Sequence, residues 1–220
     1  MSRYDAVLLD AFGTLIDIDR PFERLQASAR RHLGAQITVA DAERALRAEM
    51  AYYADHCREG ADAPTVAALR ERCAGIVLAE LGIAAAPAQA ATLLIDAIAF
   101  RAYDDVDPLL GGLAAAGVGV AVVSNWDWTL RRTLAALGVE AEAIVTCGET
   151  GVRKPDPRIF LEALGRLGVA PARALHVGDS ADTDAAGAEA AGIDVRIVDR
   201  TGGSGCGDTI ASLTEVLELL

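Results

Sequence analysis

The stretch Ala6-Val7-Leu8-Leu9-Asp10-Ala11-Phe12-Gly13-Thr14-Leu15 decides the reading of this chain. Its four uninterrupted apolar residues have the pattern of a strand covered on both faces, and the run ends on a carboxylate. A carboxylate just past such a strand stands at the carboxyl edge of a sheet, where α/β enzymes place their chemistry. Gly13 allows a positive φ beside Asp10, and the Thr14 hydroxyl is available to orient the carboxylate.

The pattern of a polar cluster after an apolar run repeats downstream. Ser124-Asn125 follows one such run, Lys154-Pro155-Asp156-Pro157 comes next, and Gly178-Asp179-Ser180 with Asp182 and Asp184 closes another. Apolar β-type runs at 6–9, 118–123, 143–146, 174–177 and 195–198 alternate with helical patterns at 106–116, 128–137, 158–167, 183–191 and 209–219. All but the last of these helical patterns end at a glycine, the usual helix stop. The alternation predicts an α/β fold, a parallel sheet covered by helices.

One interval breaks the alternation. Roughly a hundred residues separate the first strand from the second, far more than a crossover of a dozen or so needs. The interval is Ala-rich with helical patterns at 21–33, 39–57, 65–81 and 87–103, punctuated by Gly34, Gly60 to Pro64, and Gly82. The expected organisation is a core of 1–16 and 104–220 with a helical insertion over 17–103.

A chain of 220 residues that is 52% hydrophobic can bury a full core. A net charge of −12 argues against a nucleic-acid partner, which clustered Lys and Arg would serve. No apolar run reaches the 18 residues of a membrane span and no secretory leader is visible, so the expectation is a soluble, cytoplasmic protein, monomer or homodimer, acting on a small molecule. Cys57, Cys73, Cys147 and Cys206 are widely spaced and suggest reduced thiols, with neither a zinc site nor a disulfide framework.

Taken singly, each cluster has a plain structural reading beside a chemical one. Asp10 suits a turn or a helix cap; it also suits a nucleophile that forms an aspartyl intermediate. The Gly178 to Asp184 segment can cap a helix and, at the same time, offer the hard oxygen ligands magnesium requires. Ser124-Asn125 reads as a turn or as a hydroxyl and amide presented to a phosphoryl or carboxylate oxygen. Lys154 is the only lysine among the 20 basic residues, which points to a need for a compact ammonium.

Four such clusters in this order resemble the haloacid dehalogenase (HAD) superfamily of hydrolases, in the branch shared by 2-haloacid dehalogenases and phosphatase-like relatives. The resemblance implies a Rossmann-like core with an inserted α-helical cap that selects the substrate, and a catalytic set of Asp10, Thr14, Ser124, Asn125 and Lys154. Ser124, Asn125 and Lys154 would also bind substrate. Asp10, the Phe12 main-chain oxygen and Asp179 would hold magnesium, with Asp184 direct or through water. In the cap, Arg47 and Tyr53, with Arg20 close to the hinge, are candidates to reach a substrate anion, a plain surface position being the other reading of each. Most phosphatases of the superfamily carry a second Asp two places after the first, where this chain has Phe12. Metal-free dehalogenases lack the Gly178-Asp179 pair, so the retained pair favours a magnesium-dependent phosphatase, with a dehalogenase or a weakly active phosphometabolite-binding protein as alternatives. Asp127 is expected to cap a helix and is also a possible replacement acid. His176 is expected to be packed or hydrogen-bonded inside a core strand, while His32 and His56 lack partners at ligand spacing.

Overall fold

The computed structural model describes residues 2–200 and 209–220. Its elements run in the order β1 (Ala6–Leu9), β2 (Ile16–Ile18), α1 (Pro21–Leu33), α2 (Val39–His56), α3 (Ala63–Leu81), α4 (Pro87–Ala97), β3 (Phe100–Ala102), α5 (Val106–Ala116), β4 (Gly119–Ser124), α6 (Leu130–Ala136), β5 (Ala143–Thr146), α7 (Cys147–Thr150), α8 (Pro157–Leu167), β6 (Ala174–Gly178), α9 (Ala186–Ala190), β7 (Asp194–Val198) and β8 (Thr209–Ile210). Six strands form one parallel sheet in the order β5-β4-β1-β6-β7-β8. β1 is fully buried because helices cover both faces, which explains why it needs no polar alternation. One apolar layer packs Leu109 and Leu113 of α5 against Val7 and Leu9; the other packs Ile159, Phe160 and Ala163 of α8 against Ala6 and Leu8.

Helices α1 to α4 build a core of their own from Leu25, Leu46, Leu69, Val77, Leu93 and neighbours. Their ends are well specified. Thr38 caps α2 in a reciprocal box with Asp41, Asp62 does the same for α3 with Thr65, and left-handed Gly34 and Gly82 close α1 and α3.

The structure corrects three predicted helices. The pattern at 87–103 stops at Ala97, and Phe100–Ala102 instead pairs antiparallel with Ile16–Ile18, so a two-stranded ribbon joins the helical insertion to the core. The pattern at 209–219 splits into β8, which extends the sheet beside β7, and a tight 3-10 helix over Leu213–Leu219 capped by Ser212. The pattern at 183–191 opens with a wide π-type turn over Ala181–Ala185 before the short α9.

Candidate active site

Sheet register assembles the site. Leu9 lies beside Val122 on one side and Val177 on the other, so Asp10, Ser124 and Gly178-Asp179 leave adjacent strands at one edge. The Asp10 amide donates to the Val177 carbonyl at 2.9 Å, extending the ladder by one residue. The chain then turns tightly: the Leu15 and Ile16 amides both donate to the Ala11 carbonyl, at 2.8 and 2.9 Å, and the Gly13 amide donates to Ile16. Gly13 has φ +80°, and a Cβ there would lie 2.2 Å from Asp179 Oδ2. Backbone conformation and the approach of the carboxylate both require glycine.

Charge is concentrated at this edge. Lys154 Nζ lies 2.6 Å from Asp10 Oδ1 and 2.6 Å from Asp184 Oδ1, with its side chain 2% exposed. Asp184 Oδ1 also meets His176 Nε2 at 2.9 Å, and its Oδ2 accepts from the Ser180 amide at 3.2 Å. Burial works against the Asp184 carboxylate, but Lys154 and the His176 hydrogen bond outweigh it and hold its pKa well below the usual range. Asp10 goes the other way: burial, reinforced by Asp184, raises it over the opposing pull of Lys154. The Lys154 ammonium, disfavoured by burial, is nonetheless held above its ordinary value by Asp10 and Asp184. Asp179 keeps an exposed edge, yet partial burial and repulsion from Asp10 and Asp184 push it up to about 6. Oxygens of Asp10, Asp179 and Asp184 lie within 4.8 Å of one another, a donor set that fits a small, hard cation. Among the described residues the Phe12 carbonyl accepts none of the backbone bonds of its turn, which go to Ala11 and Ile16.

The remaining predicted residues have varied settings. Ser124 ends β4, buried at the same edge. Asn125 grips the main chain of Lys154, donating from Nδ2 to its carbonyl at 3.1 Å and accepting its amide at 2.8 Å, so the carboxamide serves the lysine loop. Among the described residues the buried Thr14 Oγ1 has no hydrogen-bond partner, so it makes no bond to Asp10, which it was expected to orient. Arg20 pairs with adjacent Asp19, and Arg47 with Glu43 on its own helix, and both side chains stand in solvent, the plainer of their two readings. Tyr53 reaches the core, donating its hydroxyl to Asp127 Oδ2 at 3.0 Å. The other Asp127 oxygen accepts from the Thr129 amide and hydroxyl, at 2.8 and 2.5 Å, which leaves this buried carboxylate fully engaged and ill suited to proton transfer. Asp182 is exposed, and Ser180 takes the capping role.

Two contributors were not among the site residues read from the sequence. His176, expected to be packed or hydrogen-bonded in the core, is both: it lies edge-on to Phe160 and holds Asp184. Arg200 donates to the Thr14 carbonyl at 2.6 Å, pairs with Asp105 at 2.7 Å and stacks over Tyr103, bracing the turn after Asp10. No motif surrounds Arg200; the only signal was an arginine just after the strand at 195–198.

A carboxylate at the end of the central strand, paired to a buried lysine and backed by an acidic turn on the next strand, is matched by a family model for haloacid dehalogenase-like hydrolases over residues 4–192. The chain belongs to that family. As a HAD-like hydrolase it is 34% identical to mouse (Mus musculus) haloacid dehalogenase-like hydrolase domain-containing protein 3 over 196 residues, 84% of this chain and 77% of the mouse protein. It is 39% identical to a glyceraldehyde 3-phosphate phosphatase of Methanopyrus kandleri over 106 residues, 44% of this chain and 43% of that protein. Its fold is similar to that of a 2-haloacid dehalogenase from Pseudomonas syringae pv. Tomato DC3000, with a TM-score of 0.67 and 25% identity over 98% of this chain and 97% of the other. No helix among the described residues is long and apolar enough to cross a membrane.

Proposed function

We propose that this hydrolase is a magnesium-dependent phosphatase acting on a small phosphorylated metabolite through an aspartyl-phosphate on Asp10. The observation that carries the reading is charge imbalance: three carboxylates meet within 4.8 Å, one ammonium serves two of them, and Asp179 has no ion-pair partner among the described residues. Such a group calls for a cation. Asp10, Asp179 and the Phe12 main-chain oxygen would hold it, with Asp184, already engaged by Lys154 and His176, direct or through water. When bound, magnesium would neutralise charge on the phosphoryl oxygens.

The chain's own residues would do the rest. An Asp10 oxygen attacks phosphorus, the bond to the ester oxygen breaks, and the electron pair leaves with that oxygen. Water then cleaves the aspartyl-phosphate and restores the Asp10 carboxylate. Lys154 offsets the negative charge of Asp10 and of the transferred group, Ser124 offers a hydroxyl to a phosphoryl oxygen, and Asn125 fixes the loop that presents Lys154. The side chain of Phe12, packed against the core, has no proton to give a departing alkoxide. Esters that leave as weakly basic anions are therefore the favoured substrates.

Phe12 also supports a second reading, cleavage of a carbon–halogen bond, because halide departs without a proton. One experiment separates the two: phosphate release from aryl, acyl and alkyl phosphates, and halide release from short 2-haloacids, each with and without a chelator. Chelator-sensitive phosphate release that Asp10→Asn abolishes supports the phosphatase. Chelator-insensitive halide release would replace it with a dehalogenase.

A further inference from the structure

Besides the ribbon, and well away from it in sequence, the stretch from Tyr53 to Gly60 of the cap meets the core. Tyr53 bonds Asp127, Asp55 faces Arg153 at 3.4 Å, and the Trp128 amide donates to the Gly60 carbonyl at 2.9 Å. Within this stretch Cys57 Sγ lies 3.1 Å from Cys147 Sγ, the first residue of α7 in the core. Both residues are free thiols, and both are buried in the seam between the two bodies. The backbones are brought together by glycines: a Cβ on Gly148 would lie 2.5 Å from the Gly60 carbonyl oxygen, and a Cβ on Gly60 would lie 2.6 Å from Asp127 Cβ. The glycines let the two backbones meet closely, and in that seating the two sulfurs face each other.

We propose that Cys57 and Cys147 form a reversible disulfide that fastens the cap to the core, with hydrogen peroxide as the oxidant. The sulfurs need to approach by about 1 Å, within the reach of small side-chain rotations. Cys57 is the attacking thiol. The hydrogen bond from Cys147 lowers its pKa over the opposing effect of burial, while the same contact and burial push Cys147 up. The Cys57 thiolate attacks one peroxide oxygen and breaks the O–O bond, giving a sulfenic acid and, with a proton, one water. The Cys147 sulfur then attacks the Cys57 sulfur, its own proton leaving with the hydroxyl as a second water. Two thiols and one peroxide become one disulfide and two waters. Hydrogen peroxide, little larger than water, reaches the buried pair through brief local openings of the seam, and Cys147 stands beside the sulfenic acid as it forms. With the ribbon at one junction and this bond at the other, the cap loses its freedom to move. A cross-link of this kind is transient in a reducing compartment and so can report peroxide.

The test treats the whole protein with hydrogen peroxide, digests it without reduction and maps the cross-linked peptides. The expected product joins the peptide of Cys57 to that of Cys147, lighter by two hydrogens and released by dithiothreitol. Cys57→Ser and Cys147→Ala should each abolish the link, and Cys73→Ser should leave it. Hydrogen exchange in the peptides carrying Gly60 and Trp128 should slow at least tenfold in the oxidised protein, a readout that does not depend on the reaction catalysed. Cys57 left as thiol or carried on to sulfinic acid in the wild type would overturn the proposal, as would a link through Cys73 or Cys206. So would a cross-linked protein whose seam exchanges as fast as the reduced one.

Discussion

Replacing Lys154 by Met tests the electrostatic account of the site at its centre. The substitution keeps the length and apolar stem of the side chain and removes the ammonium that lies 2.6 Å from both Asp10 and Asp184. Breaking a buried ion pair from one side costs about 3–5 kcal/mol, because the charge left behind is neither solvated nor neutralised. With a urea slope of about 2–3 kcal/mol/M, the unfolding midpoint of the metal-free protein should fall by roughly 1–2.5 M. The loss should also depend on pH. In the wild type Asp184 has a lowered pKa, so its contribution is present above the unfolded carboxylate value and lost only in strong acid. Without Lys154, burial and the neighbouring Asp10 take over, and a carboxylate pKa rises above its unfolded value. A raised carboxylate destabilises the folded state increasingly as pH climbs, and taking up one proton relieves that penalty.

The deficit of Lys154→Met relative to wild type should therefore shrink as pH falls from about 7.5 to 5.5, by up to about 1.4 kcal/mol per pH unit for a single proton. The assay is urea unfolding of both proteins, metal-free, at half-unit steps of pH. A deficit below about 1 kcal/mol at neutral pH, or one constant across the range, would refute the claim that Lys154 is the counter-charge holding this cluster together.

Four further outcomes are expected. Gly13→Ala should fold with a modest loss, on the order of 1–2 kcal/mol for the positive φ, while displacing Asp179, so calorimetry should show magnesium binding weakened far more than stability. Metal affinity should fall below pH 6, by about tenfold per unit, because Asp179, with its pKa near 6 in the metal-free protein, must lose a proton to become a ligand; titrations at pH 5 and 7 with equal affinity would oppose this. Asn125→Ala leaves the Lys154 amide and carbonyl without partners, at about 1–3 kcal/mol each if they stay dry, and should slow turnover without changing magnesium affinity, as separate kinetic and binding measurements can show. In a series of aryl and alkyl phosphates the wild-type rate should rise steeply as leaving-group pKa falls, and Phe12→Asp should flatten that slope; a flat wild-type series would mean that another residue supplies the proton, and the fully engaged Asp127 is a poor one.

The sheet was legible in the sequence because its information is local. Buried parallel strands are short apolar runs, helices between them carry their own stops, and the carboxylate after β1 needs no distant partner to be noticed. What escaped is what only tertiary pairing creates. The ribbon strands are three residues each, too short to show an alternation, and Asp17 meets Arg101 across 84 residues. Thr209–Ile210 becomes a strand because β7 offers an unpaired edge, a fact absent from the local pattern that read as helix. Cys57 and Cys147, 90 residues apart, carry no spacing signal at all. The settings of Arg20 and Arg47 are local ones: Arg47 pairs with Glu43 one turn back on α2, and Arg20, just before α1, pairs with its neighbour Asp19.

The motif glycines show why four separated clusters can nonetheless be read together. Gly178 does not have a positive φ; it is small because a Cβ there would lie 2.1 Å from Asp184 Cγ, just as a Cβ on Gly13 would strike Asp179. Each glycine makes room for a carboxylate of the acidic turn: Gly178 for Asp184, six residues farther along its own chain, and Gly13, after β1, for Asp179 beyond the adjacent β6. The glycine and aspartate spacings are thus the linear trace of a single steric fit, in which carboxylates are pressed closer than their charges would choose. Packing supplies the force, with Leu8, Leu9 and Val177 fully buried directly behind the cluster. Lys154 balances part of the resulting charge, and the unbalanced remainder, centred on Asp179, is what the core makes available for a cation.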